Sequence, residues 1–139
     1  MGSDRDVIDG SGTARDVLVV ACAISAGIHA ALAPDHFAEG KAAGLGFAAA
    51  AVLLAGLVVR LTLRPAGVTA VVASAGVLAG LLVSYALVTT TGLAVLHPDV
   101  EPIGGLAVAT KVVESVGLLA AVRLLRPAVT YLQPKGRLP

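Results

Sequence analysis

The sequence predicts an all-α protein, a four-helix transmembrane bundle with antiparallel neighbours and both termini cytoplasmic. Three observations carry this prediction. Hydrophobic residues make up 57% of the chain and charged ones only 14%, against about 45–50% and about 25% in ordinary soluble domains. The apolar residues gather in four runs, over 17–33, 42–61, 68–92 and 103–125, each near the ~17–25 residues that a helix needs to cross hydrocarbon. Prolines, glycines and charges fill the gaps between them. The runs lack the period-two alternation of barrel strands, and helices are the other backbone that satisfies its own polar groups in lipid. Mean hydropathy over the chain is +0.91.

Residues 1–16 are rich in Gly, Ser and Asp and read as a disordered tail. The first run, Val17 to Ala33, ends at Pro34, which disfavours the α region for the residue before it. Ala31-Leu32-Ala33 has the small-x-small look of a signal-peptide cleavage site. Pro34 directly after it, and the acidic residues of the leading tail, favour a retained helix instead. The second run lies between Lys41 and Arg64-Pro65; the third ends near Gly92; the fourth is closed by Arg126-Pro127. Residues 127–139 form a short basic tail with Pro134 and Gly136 set against regular structure. Residues 17–126 are thus one membrane domain, and its short connections make consecutive helices neighbours.

Orientation follows from the basic residues. The N-terminal tail, the second connection and the C-terminal end hold every Lys and Arg except Lys41 and Lys111. Positive residues stay on the cytoplasmic side, so both termini are inside and the first and third connections face out. The setting is the inner (plasma) membrane, crossed several times. The bilayer is the first partner. A net charge of +1 recommends no nucleic acid. The single Cys22 rules out an internal disulfide and reads as a small buried residue.

Small residues recur at four-residue spacing: Ala21, Ser25, His29 and Ala33 in the first run, Gly44 and Ala48 in the second, Gly76, Gly80 and Ser84 in the third. Such stripes let helices approach closely in lipid, within one chain or between subunits. Partners of that kind are a homo-oligomer or a larger membrane complex.

Polar groups are expensive inside a membrane and mark where to look for function. They concentrate in His29-Ala-Ala-Leu-Ala-Pro-Asp-His-Phe-Ala-Glu39 and at Lys111 and Glu114. With the first helix ending at Pro34, His29 lies about 7 Å inside the outer boundary, and Lys111 and Glu114 about 12 and 16 Å in. Three residues apart, Lys111 and Glu114 can meet on one helix face. The prediction is that they face the bundle interior, neutralise one another and come near His29. Three readings stay open: a structural polar knot, a ligand-binding or proton-handling site, and a Lys111 that snorkels to the outer headgroups.

His36 and Glu39 are three apart beside Asp35, and the outer loop after the third run carries His97, Asp99 and Glu101. Imidazole with carboxylate suits a divalent transition metal. His29, His36, Glu39 and His97 form the candidate set if the two outer loops meet. Haem b is disfavoured, because aromatics are scarce and there is no second mid-helix histidine. No other cofactor is indicated, and no catalytic motif such as GxSxG, a P-loop or a dinucleotide fingerprint is present.

The string from Gly27 to Glu39, Thr89-Thr-Thr-Gly-Leu93, His97-Pro-Asp-Val-Glu-Pro102 and the pair Lys111 and Glu114 resemble a group of uncharacterised small four-span integral membrane proteins of high-GC Gram-positive bacteria. The resemblance covers residues 17–126 and implies a bacterial inner membrane. It implies no activity and no site. The functional expectation is therefore drawn from the residues: a small membrane protein with a polar outer-face pocket that binds or transports a metal ion, a proton or a small solute. The alternative is a non-catalytic accessory subunit of a larger membrane complex. A membrane enzyme has the least support.

Overall fold

A computed structural model describes residues 3–64, 67–90 and 104–132, with side chains over 11–64, 67–90 and 104–126. It is all-helical: α1 Ser3–Glu39, α2 Lys41–Leu63, α3 Val68–Thr90 and α4 Gly105–Leu132. All four are long and apolar enough to cross a membrane. α4 is the least apolar, with a mean hydropathy of 1.7 against 2.0 to 2.3 for the others, because Lys111 and Glu114 sit within it.

Both expected boundaries of the first helix move outwards. Residues 3–16 are helical rather than disordered, and α1 runs on through Pro34 to Glu39. Extending an existing helix adds one hydrogen bond for each residue fixed, so polar composition alone does not stop it. Arg15 anchors this portion by donating from Nε and Nη2 to Leu61 O at 3.2 and 2.9 Å, where it caps a carbonyl that the end of α2 leaves open. Pro34 has no N–H to give to Ala30, which costs the helix one bond. The turn beyond it is held from outside. His36 is buried and stacks on Phe47 of α2 at a centroid distance of 3.6 Å. α4 likewise continues past Pro127 to Leu132, so the first part of the expected C-terminal tail is helical. The α2 boundaries fall within two residues of those predicted and α3 starts at the predicted residue; its expected end at residue 92 lies outside the described residues.

α1 is the hub. It packs most extensively on α2 and next on α4, while α3 lies against α4 and touches α2 less. A single residue, Gly40, in extended backbone, joins α1 to α2. The two helices leave that turn so close that a Cβ on Gly44 would strike the Phe37 ring and lie 2.7 Å from Phe37 Cα. Gly117 plays the same part where three helices meet. A Cβ there would come within 2.8 Å of Ala21 Cβ and 3.1 Å of Leu78 Cδ1. Around it lies the core, with Leu18, Cys22, Leu54, Leu61, Leu78 and Ala121 all but sealed from solvent. Large apolar side chains such as Val52, Leu63 and Leu119 point outward instead, the arrangement expected when lipid is the solvent.

Candidate functional site

Glu114 is the one acidic side chain among the described residues that is fully buried, and both of its oxygens are used. Ser25 on α1 donates its hydroxyl to Glu114 Oε1 at 2.8 Å. Lys111, one turn back on α4, donates to Oε2 at 2.6 Å. An ionised carboxylate in such a place needs a charge and hydrogen bonds to offset its lost hydration, and it has both. The Lys111 ammonium also lies 5.4 Å from the centroid of the Tyr85 ring on α3, within cation–π range. The expected pairing of Lys111 with Glu114 is therefore present, and the lysine turns inward to the carboxylate rather than out to headgroups.

His29 reaches this pair through Ser25. Its Nδ1 lies 2.9 Å from the Ser25 carbonyl and 3.4 Å from the Ser25 hydroxyl. A carbonyl can only accept, so Nδ1 carries the proton and Nε2 is the acceptor in the neutral ring. The sequence marks Ser25 only as a small residue on the His29 stripe. Its position four residues before His29 is the signal that could have found it, since i and i+4 share a helix face.

The continuation of α1 past Pro34 is what brings these groups level. His29 is ten residues from the end of α1 at Glu39, or about 15 Å of helix. Glu114 is nine residues from the start of α4 at Gly105, or about 13–14 Å. A first helix ending at Pro34 puts His29 at half that depth, so the sequence-based depths fit each other poorly.

The metal set does not assemble among the described residues, where no group of three or more His, Cys, Asp or Glu side chains is placed to hold an ion. The Phe47 ring explains why. It stacks on His36 and lies 5.2 Å from His29 at a tilt of 37°, and so occupies the space beside both imidazoles. His36 Nδ1 donates to Leu32 O at 3.0 Å, so each of these two histidines gives one ring nitrogen to its own helix. Asp35 and Glu39 are exposed at the helix end. His97, Asp99 and Glu101 lie outside the described residues.

One further polar group belongs to this neighbourhood. The Tyr85 hydroxyl is buried and finds no hydrogen-bond partner among the described residues. Thr110, one residue before Lys111, is buried and spends its hydroxyl on Leu106 O at 2.8 Å.

Fold and site together define, by length and composition, a multi-pass membrane protein whose first and last helices are joined by a buried polar chain. No family model, no curated protein and no solved structure matches this sequence.

Proposed function

We propose that this is a small inner-membrane protein whose buried chain of Lys111, Glu114, Ser25 and His29 handles a proton or binds a small polar solute. The observation that carries the reading is Glu114, fully buried yet linked by hydrogen bonds across two helices to a histidine. Intramembrane carboxylates joined to histidine recur in proton relays, and histidine changes charge near physiological pH. The step balances simply. A proton arriving at His29 Nε2 makes the ring a cation. Nδ1–H then passes its proton to Ser25 Oγ while the Ser25 O–H passes its own to Glu114 Oε1. This leaves a neutral ring protonated at Nε2, an intact serine and a neutral carboxyl beside the Lys111 ammonium.

The reading takes neighbouring helices as antiparallel and the arginine-rich end as cytoplasmic. Contact order supports the first point: Arg15 meets Leu61 while Phe37 meets Gly44, and Ser25 meets Glu114 while Ala21 meets Gly117. The positive-inside bias supports the second.

Proteoliposomes loaded with a pH-sensitive dye test the proposal. The wild-type protein is expected to collapse an imposed pH gradient faster than empty vesicles. Ser25→Ala is expected to abolish that excess while leaving the ion pair in place. Wild-type vesicles that hold the gradient as long as empty ones would reduce the cluster to a structural knot.

A second reading, an accessory subunit of a membrane complex or a homo-oligomer, rests on α3. Its Gly76, Gly80 and Ser84 face is exposed, so nothing among the described residues uses a stripe well suited to another helix.

A further inference from the structure

Between α1 and α4, at the end where Arg15 meets α2, lies a groove of about 470 Å³. Its volume falls in the range of small-molecule sites, about 300–1,000 Å³. Ala14 and Ala120 are buried and form its floor; Val17 and Leu119 stand exposed beside them. Thr13 and Arg123 line the end nearest the helix termini. We propose that this groove holds one anionic phospholipid, with its phosphate on Arg123 and an acyl chain along Val17 and Leu119.

The proposal depends on the helices crossing a membrane and is independent of the proton relay. Three observations carry it. The groove is amphipathic along its length, apolar towards mid-helix and cationic at its end, which is the polarity of a phospholipid. Its depth is right: Arg123 is eighteen residues from the start of α4 at Gly105, about 27 Å along the helix, against a hydrocarbon core of about 30 Å. The guanidinium therefore sits at headgroup level. Finally, the charge is available. Arg15 is committed to Leu61 O, whereas Arg123 is exposed and makes no hydrogen bond or ion pair among the described residues. Asp16, the one described carboxylate side chain at this end, does not line the groove. A planar guanidinium facing an unclaimed space matches a phosphate by bidentate geometry as well as charge.

The test is native mass spectrometry of the full chain released from nanodiscs made with equal phosphatidylglycerol and phosphatidylcholine. The wild type is expected to retain the anionic lipid about fivefold over the neutral one, the preference that one interfacial cation provides. Arg123→Gln is expected to bring the ratio to about one, while Arg64→Gln, at the same end but outside the groove, keeps it. Leu119→Trp, which fills the groove, is expected to lower retention of both lipids. No preference in the wild type, or an equal loss in Arg64→Gln and Arg123→Gln, would overturn the site in favour of diffuse surface charge. Because the ratio is read on the folded, lipid-bearing species, poor yield of a variant does not blur the result.

Discussion

In α1, Ala21, Ser25, His29 and Ala33 recur at four-residue spacing and every one is buried; in α3, Gly76, Gly80 and Ser84 recur at the same spacing and every one is exposed. Both stripes would let another helix come close. The difference lies in what else the helices carry. α1 is fastened at several heights, by Arg15 to Leu61, by Ser25 to Glu114 and by His36 to Phe47. α3 carries weaker ties, the Lys111 ammonium over its Tyr85 ring and a thiol–hydroxyl contact between Cys22 and Ser74, while the hydroxyls of Ser74, Thr89 and Thr90 donate to their own helix. It packs through Ala70, Val71, Ser74, Leu78 and Val88 instead, and its glycine face is left over. Small residues permit close approach, and directional polar contacts decide which face takes it.

The largest test of that contrast removes the fastening. Lys111→Met leaves Glu114 buried with no countercharge, and breaking a buried pair from one side costs about 3–5 kcal/mol. Unfolding by denaturing detergent in mixed micelles is expected to show a loss of that size. The double variant Lys111→Met with Glu114→Met is expected to recover most of it, since well-packed apolar replacements of a buried pair are often neutral. A double variant as unstable as the single one would mean that the helices depend on the charges themselves.

Glycine-to-alanine exchange sharpens the comparison, because its sign should reverse between a glycine of α2 packed on α1 and the exposed glycines of α3. Gly44→Ala drives a methyl into Phe37, backbone included, and overpacking of this kind costs about 1–3 kcal/mol. Gly76→Ala and Gly80→Ala meet nothing within 4 Å. They are expected to be neutral or to stabilise the helix by up to about 1 kcal/mol, the usual advantage of alanine over glycine in a helix interior. The same detergent titration reads both. A loss at Gly80 would mean that the α3 face is covered in the membrane by a helix from outside the chain.

Parts of this molecule are legible in the sequence. The four spans follow from bulk composition, because twenty apolar residues in a row have few alternatives in lipid. The pairing of Lys111 with Glu114 follows from a three-residue spacing on one helix. Their approach to α1 follows from the cost of an unpaired charge in hydrocarbon, but the serine that makes the connection carries no signal beyond its small size and its place four residues before His29. Pro34 misled, because its local preference against helix was outweighed by the packing of the turn that follows. The part of the metal set that falls among the described residues does not come together, for a related reason. Ring types that suit a metal were close in sequence, but Phe47, from another helix, took the space beside both of them.

Composition and local spacing, then, determined that the four described helices are apolar enough to cross a bilayer and which two charges on α4 pair, since both depend on bulk composition or on residues within one turn. Tertiary structure alone decided that α1 continues past its proline, that Ser25 joins His29 to Glu114, and that one small-residue stripe is buried while its twin is not. Those outcomes turn on contacts between different helices, where a single well-placed side chain from a neighbour outweighs any preference written into the local chain.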